Sequence, residues 1–146
     1  MAVIVVEKQF KGDPTFDKLL LWVIPVAIEG EKKKVTFNLL LDTGAQRTVL
    51  LPDVEKIVGI EKKPQSIQGS GVGGASQYST GTVRNLEIGS IALGSKDILV
   101  GILPGVFSKY NIDGILGADV LQMLSLKIEY PEKLLLISKT IVLPGN

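Results

Sequence analysis

Apolar and polar residues alternate along most of this chain in short segments, and turn-forming residues separate the segments about every ten positions. The segments are rich in Val, Ile, Leu and Thr, which favour β-strands. Many short strands with frequent turns are typical of a sandwich or barrel, so the pattern predicts an all-β fold. The predicted strands are residues 3–10, 19–28, 34–41, 80–88, 91–103, 112–116, 126–130 and 134–138.

Two short helices and one loop interrupt these strands. Residues 52–58 are predicted to form a helix, because Pro52 suits the first turn, acidic residues follow it and Gly59 comes directly after. Residues 118–124 are predicted as a second helix, and the polar, glycine-rich residues 68–79 as a loop. The sequence contains no linker or internal repeat, so residues 1–146 are expected to form a single domain.

The composition is that of an ordinary globular protein, with 45% hydrophobic and 21% charged residues. A net charge of +1 gives no reason to expect a nucleic-acid partner or an anionic membrane surface. The longest apolar run, residues 19–28, contains Pro25 and is shorter than the ~20 residues that span a bilayer. We therefore expect neither kind of partner, and the absence of cysteine fits a cytoplasmic location.

The absence of histidine as well as cysteine restricts the chemistry available to the chain. Ser-His-Asp and Cys-His catalysis are excluded, and so are the usual His/Cys zinc sites. Carboxylate chemistry remains, and no cofactor or metal is expected. The most informative carboxylate is Asp42, which follows the apolar residues 37–41 and precedes Thr43, Gly44 and Ala45.

The residue types of this motif suit a carboxylate held on a tight turn. Asp42 comes at the end of a predicted core strand, and Thr43 offers a hydroxyl donor. Gly44 permits a positive φ and lets backbone N–H groups approach the carboxylate closely. The simpler interpretation is an Asx turn, in which Asp42 bonds its own backbone and Gly44 supplies the left-handed position.

A second motif lies within residues 112–121, where a predicted apolar strand ends in Gly117 and continues directly into the second predicted helix. Taken alone, the motif is compatible with an ordinary strand-to-helix junction. Asp119 would then occupy the first helical turn, where the helix dipole favours an acidic residue.

Residues 41–45, a glycine-rich hairpin and then residues 113–119, in this order, resemble the retropepsin-like aspartic proteases over about residues 26–137. The resemblance implies a closed β-barrel of the acid-protease type, active as a two-fold homodimer. In that family the segment equivalent to Ile115, Leu116 and Gly117 crosses behind the Asp-Thr-Gly turn and braces it.

The same resemblance implies an aspartic endopeptidase in which Asp42, Thr43 and Gly44 form the catalytic motif. Two aspartates share one proton and hold the water that attacks the peptide bond, because like charges ~3 Å apart cannot both ionise. The chain has one such motif and no repeat, so the second carboxylate is expected to be Asp42 of another copy. Thr43 would bond across the same axis. Asp113 and Asp119 are the alternative internal partners.

Residues 69–74 also satisfy the dinucleotide-binding pattern G-x-G-x-x-G, but no helix is predicted after them to hold a pyrophosphate. The resemblance instead implies a flap that closes over a peptide substrate by backbone pairing, and an inert surface loop is the simpler alternative. The flap residues expected to bind substrate are Gly71, Val72, Gly73 and Gly74.

Fold does not determine function, so two other functions stay open. The chain could be a non-catalytic peptide-binding or dimerisation module on the acid-protease fold. It could also bind a nucleotide through residues 69–74. The intact Asp-Thr-Gly motif favours the enzyme, since a binding module has no chemical need for a paired carboxylate.

Overall fold

The computed structural model describes the backbone of residues 2–71 and 74–142, and the side chains of residues 3–63 and 77–142. Strands dominate the described residues, and four short helices connect them. The helices are α1 (Pro14–Leu19), α2 (Pro52–Val58), α3 (Gly105–Lys109) and α4 (Ala118–Leu121). The strands are β1 (Ala2–Gln9), β2 (Val23–Glu29), β3 (Lys34–Leu41), β4 (Val49–Leu50), β5 (Glu61–Gly71), β6 (Gly74–Val83), β7 (Asn85–Ile88), β8 (Ile91–Ala92), β9 (Lys96–Val100), β10 (Gly114–Leu116), β11 (Ser125–Glu129) and β12 (Leu134–Thr140).

These strands form two sheets. The larger has nine strands in the order β5-β6-β9-β4-β10-β3-β2-β7-β8, and the smaller has the order β1-β12-β11. Most neighbours are antiparallel, but β10 runs parallel to β3 and β4 runs parallel to β9. As a result β10, which comes late in the chain, lies between the earlier strands β3 and β4.

The last three residues of the strand that leads to Asp42 are buried on both faces of the sheet. Leu39 and Leu41 belong to the main apolar core, which also contains residues of the smaller sheet such as Leu135. Leu40 points to the other face and packs in a second cluster with Phe107 and Ile112. Because neither face of β3 meets solvent at its end, the turn that follows begins from a fixed position.

The predictions for residues 34–41 and 52–58 are confirmed with the same bounds. The prediction of a strand over residues 19–28 is wrong at its start, because α1 occupies residues 14–19. Asp13 caps this helix by accepting the N–H of Phe16 at 2.9 Å, and Leu20 ends it in the left-handed region with a φ of 57°.

The prediction of a loop over residues 68–79 is also wrong for the described part of that segment. Strands β5 and β6 pair antiparallel up to Gly71 and Gly74. Val72 and Gly73, two of the expected flap residues, lie outside the described residues. Helix α3 was not predicted, α4 ends earlier than predicted, and the strands expected over residues 80–88 and 91–103 are each divided.

Candidate active site

Asp42 lies on a tight turn directly after β3. Its backbone N–H donates to the carbonyl of Leu116 at 3.1 Å, and its own carbonyl accepts the N–H of Ala45 at 3.2 Å. The N–H of Gly44 donates to carboxylate oxygen Oδ1 of Asp42 at 2.9 Å. Asp42 is half-buried while Thr43 and Gly44 are exposed, so the turn presents its carboxylate at the protein surface.

Gly44 does not use the positive φ that glycine permits. Its N–H approaches the Asp42 carboxylate as expected, but its φ lies outside the left-handed region, so the left-handed position of the Asx-turn interpretation is not observed. A Cβ at this position would meet only Oδ1 of Asp42, at an ordinary 3.4 Å.

The segment Ile115–Gly117 lies directly behind this turn. In the parallel register Ile115 is opposite Leu40 and Leu116 is opposite Leu41. Directly after this segment, the N–H of Ala118 donates to the carbonyl of Ala45 at 2.8 Å. A Cβ at Gly117 would lie 2.6 Å from the carbonyl oxygen of Arg47, so only glycine lets the two backbones come this close.

Asp119 forms a dense network with the strand that follows the turn. Its carboxylate accepts the N–H of Thr48 at 3.0 Å, the hydroxyl of Thr48 at 2.7 Å and the N–H of Val120 at 2.9 Å. The Thr48 hydroxyl is fully buried and also accepts the N–H of Gly117 at 3.0 Å. Arg47 adds an ion pair to Asp119 at 3.7 Å. The carboxylate therefore ties β10, α4 and β4 together.

Asp113 has a comparable structural role at the start of β10. Its carboxylate accepts the N–H of Asn38 at 2.9 Å, and its own N–H donates to the Asn38 carbonyl at 2.7 Å. Asp42 follows Asn38 by four residues on an extended strand, a separation of about 13 Å. Asp113 and Asp119 are thus both bound to partners of their own, and the structure does not bring either of them into a pair with Asp42.

A cavity of about 230 Å³ adjoins Asp42 and Thr43. It is smaller than the roughly 300–1,000 Å³ typical of complete ligand sites.

The indole Nε1 of Trp22 is buried and has no hydrogen-bond partner among the described residues. The Trp22 ring packs against Phe10, Phe16 and Tyr130 with centroid distances between 4.6 and 5.2 Å. The cavity is lined by Leu20, Leu21, Trp22, Leu40, Leu41, Asp42, Thr43, Ile128 and Tyr130.

Strands β5 and β6 form a long hairpin that is fastened to β9 at its base. Asp97 accepts a hydrogen bond from the Lys63 ammonium at 2.9 Å and one from the Thr82 hydroxyl at 2.8 Å. These two donors, Lys63 first, hold the pKa of the Asp97 carboxyl below its usual value. Farther along β6, the ring of Tyr78 packs over Gly101, where any side chain would collide with it.

The glycine pattern of residues 69–74 does not open a helix. Its glycines lie on β5 and β6, and residues 74–83 continue as strand. The helix N-terminus that a dinucleotide phosphate requires is therefore missing at this point of the described structure. Within the described residues, the pairing of this hairpin extends to Gly71 opposite Gly74.

Neither a metal site nor a membrane-crossing helix is found in the part of the chain that the structure describes. No three acidic side chains there lie close enough to hold a metal ion. No helix there has the length and apolar character needed to cross a membrane.

A sequence profile described as aspartyl protease matches residues 24–120, more than half of the chain, so the chain belongs to that family. No curated protein matches the chain. Among solved structures, the EIAV protease in complex with the inhibitor HBY-793 is similar to it, with 26% identity and a TM-score of 0.56. The match covers 70% of this chain and 86% of the viral one.

Two cellular proteins are similar in fold. A retropepsin-like aspartic protease from Rickettsia conorii has a TM-score of 0.63 at 14% identity, covering 95% of this chain and 93% of its own. The retroviral protease-like domain of Ddi1 from Leishmania major has a TM-score of 0.50 at 16% identity, covering 79% and 86%. The predicted all-β fold class and the resemblance to retropepsin-like aspartic proteases are confirmed.

Proposed function

We propose that this chain is an aspartic endopeptidase that works as a homodimer, with Asp42 of each copy acting on one water molecule. The observation that carries the proposal is the state of the Asp42 carboxylate. It is half-buried beside a cavity, on a turn braced from behind, and within the described residues Gly44 is its only hydrogen-bond donor. Such a carboxylate is held in place while most of its hydrogen-bonding capacity stays available.

The proposed reaction needs one ionised and one protonated carboxyl group. The ionised Asp42 takes a proton from the water as its oxygen attacks the carbonyl carbon of the peptide bond, while the protonated Asp42 donates its proton to the carbonyl oxygen. In the tetrahedral intermediate, the Asp42 that took the water proton gives it to the amide nitrogen, the other Asp42 takes a proton from a hydroxyl of the intermediate, and the C–N bond breaks. The products are a carboxylic acid and an amine, and the two aspartates again share one proton.

A second copy is the proposed source of the second carboxylate. The internal alternatives, Asp113 and Asp119, have hydrogen-bond partners that fix them to β3 and to β4. A two-fold axis beside the turn would bring two Asp42 carboxylates together and let each Thr43 hydroxyl, which is exposed in one chain, bond across the axis.

The hairpin of β5 and β6 is the proposed flap. An extended peptide would lie between the flap and the Asp42 turns, and backbone N–H and C=O groups near Gly71 and Gly74 would pair with it. Backbone pairing recognises any extended chain, so the proposed substrate class is a peptide or an unfolded protein segment.

Two broader expectations also remain proposals. We expect residues 1–146 to fold as one domain, since both sheets contribute to one apolar core. We expect a reducing compartment such as the cytoplasm, since a chain without cysteine gains nothing from an oxidising one.

The test is cleavage of a peptide library over a series of pH values by the wild type, Asp42→Asn and the control Asp53→Asn. Asp53 is exposed on α2 and should tolerate the change. Loss of the catalytic base and acid should lower the cleavage rate of Asp42→Asn by about 10³-fold, while the control keeps the wild-type rate. Full activity in Asp42→Asn would contradict the mechanism. A wild type that dimerises and binds peptides without cutting them would favour the non-catalytic module.

A further inference from the structure

A second cavity, larger than the one beside Asp42, lies at the base of the β5–β6 hairpin. Its volume is about 440 Å³, which is within the roughly 300–1,000 Å³ typical of ligand sites. Within the described structure, no residue lines both cavities. The lining residues of this cavity come from α2, from both arms of the hairpin and from the end of β9 and the two residues after it: Pro52, Glu55, Lys62, Gln77, Ser79, Val100, Gly101 and Ile102.

The cavity lies on one face of β6. Gln77 and Ser79 are two residues apart on this strand, so their side chains share a face, and both line the cavity. Tyr78 lies between them and points to the opposite face, where its ring packs over Gly101. The side chains of β6 thus separate the cavity from the space on the other side of the hairpin.

The cavity also lies where the pairing of the hairpin is irregular. Lys62 is opposite Gly81 and Ser66 is opposite Ser79, so residues 63–65 of β5 are opposite the single residue 80 of β6. Extra residues of this kind interrupt the ladder and bend the strand. A ligand in the cavity would therefore contact the hairpin at its bend and α2 at the same time.

The charged groups that line the cavity form one ion pair. The Lys62 ammonium lies 3.0 Å from Oε1 of Glu55, and the Glu55 side chain is only 19% exposed. An ammonium has three hydrogens and a carboxylate has roughly four acceptor positions, so each group can bind a second partner while the pair stays intact. Because the two charges cancel, a simple anion or cation gains little here. A ligand that carries both charges can instead place an opposite charge beside each member of the pair.

The remaining walls favour an aliphatic group. Ile102 is 79% exposed, and Pro52 and Val100 line the same cavity. An aliphatic ligand that covers Ile102 removes apolar surface from water, which favours binding. None of the described lining residues is aromatic, so the cavity does not offer the stacking that holds a nucleobase. The Ser79 hydroxyl and the Gln77 amide are groups that can add hydrogen bonds.

We propose that this cavity binds a small zwitterion with an aliphatic side chain, such as a free aliphatic amino acid or a short aliphatic peptide. The ligand ammonium binds the Glu55 carboxylate, the ligand carboxylate binds the Lys62 ammonium, and the aliphatic side chain covers Ile102. The inference goes beyond the proposed function and does not depend on it, since no residue of the Asp42 turn lines the cavity.

Binding at this cavity should also steady the hairpin. The bound zwitterion contacts α2 and both arms of the hairpin, so it binds only while the base of the hairpin is closed. A ligand present at ten times its Kd should therefore slow hydrogen exchange by about elevenfold at amides of β5 and β6 that exchange only when the base opens.

The test is a titration followed by two-dimensional NMR, with L-leucine and leucyl-leucine as the probes. Chemical-shift changes should appear around Lys62, Ser79 and Ile102, with a Kd on the order of 1 mM for ligands of this size. N-acetyl-leucine lacks the ammonium and leucinamide lacks the carboxylate, so each should bind about tenfold more weakly than leucine. The probe that binds more tightly, leucine or leucyl-leucine, identifies the source of the ligand.

Paired variants assign each charged contact. Glu55→Gln should weaken the binding of leucine about tenfold but leave that of N-acetyl-leucine unchanged, because only leucine has the ammonium that Glu55 binds. Lys62→Gln should in the same way weaken leucine but not leucinamide. The matched controls are Asp53→Asn and Lys56→Gln, since both residues are exposed on α2 and neither lines the cavity. The spectra of the free variants check that the fold is kept.

The outcomes separate this site from the proposed chemistry. Equal affinity for leucine, N-acetyl-leucine and leucinamide would overturn the zwitterion, and an unchanged Kd in both Glu55→Gln and Lys62→Gln would overturn the site. Asp42→Asn should bind the probes as the wild type does. Binding by a wild type that cleaves no peptide would leave this inference standing while the proposed function fails. Peptidase activity in a chain that binds neither probe would do the reverse.

Discussion

The turn after β3 and the segment that joins β10 to α4 meet at one junction, with Asp42 on the first side and Asp119 on the second. The two residues differ in the number of hydrogen bonds that their carboxylates accept. Both are half-buried, so exposure does not distinguish them. Asp119 accepts three hydrogen bonds and an ion pair from Thr48, Val120 and Arg47. From the part of the chain that the structure describes, the Asp42 carboxylate accepts one, from the N–H of Gly44. The Asp119 carboxylate is thus bound to several internal donors and joins parts of the fold, whereas the Asp42 carboxylate keeps most of its capacity for further hydrogen bonds, as the proposed mechanism requires.

The sharpest way to test this contrast is to truncate both side chains. Asp119→Ala should lower the free energy of unfolding by about 3 kcal/mol, because the buried N–H and hydroxyl of Thr48 lose their acceptor. Asp42→Ala should change it by less than about 0.5 kcal/mol, since little inside the chain depends on its carboxylate. Urea unfolding of both variants measures the difference. Equal losses of stability would mean that Asp42 is also a structural residue.

The two glycines of the junction extend the comparison with a smaller expected effect. Gly117→Ala should cost about 2 kcal/mol, because its Cβ would lie 2.6 Å from the backbone of Arg47 and the turn and its brace would have to separate. Gly44→Ala adds a Cβ that meets only Oδ1 of Asp42 at 3.4 Å and needs no unusual φ, so stability should hardly change. Thermal unfolding of the pair provides the measurement. A larger loss in Gly44→Ala than in Gly117→Ala would contradict the assignment of Gly117 to the brace.

The smallest effect is expected at Asp97, a third kind of carboxylate, paired but exposed. Its pKa is lowered in the folded chain by Lys63 and then by Thr82, so the stability that it contributes is present above the ordinary value of 3.8. That contribution should be lost as the pH falls below 3.8 and through the lowered pKa. Hydrogen exchange of β5 and β6 should therefore rise over this range in the wild type.

In Asp97→Asn the same exchange rates should be nearly independent of pH over that range, after correction for intrinsic exchange. Because Lys63 and Asp97 are both exposed, added salt should weaken the wild-type effect. A wild type and a variant with the same pH profile would show that this contact does not fasten the hairpin.

The parts of this fold that could be predicted from the sequence are those where local pattern and burial agree. The apolar pattern of residues 34–41 predicts a core strand. Residues 52–58 begin with proline and acidic residues and are followed by Gly59, which together predict a helix. Helix α1 was missed although Asp13 and Pro14 are a clear start signal, because Leu19–Leu21 continue an apolar run that favours a strand. The glycine-rich arms of the hairpin were missed for the opposite reason, since their pairing comes from register with each other and not from strand propensity.

The candidate site shows the same division. The Asp-Thr-Gly motif and the segment Ile115–Gly117 stand out in the sequence because their residue types are restricted by chemistry and close approach. Nothing in the sequence near Thr48 indicates its structural role. Its buried hydroxyl forms hydrogen bonds with Asp119 and Gly117, which lie far from it in the sequence. The position of β11 at the end of the smaller sheet, as far as the described residues go, was equally hidden, since strand order is a property of the finished sheet.

The insertion of β10 between β3 and β4 has a consequence for how the protein is made. The contacts that back the Asp42 turn join residues far apart in sequence, such as Thr48 and Asp119, which are 71 positions apart. Closing so large a loop is slow and must wait for synthesis, which proceeds at about 5–20 residues per second from the N-terminus. A nascent chain that has only reached β9 carries the whole Asp-Thr-Gly motif on an unsupported turn. Such a ribosome-bound chain should therefore lack the proposed activity until the segment that contains β10 and α4 has emerged.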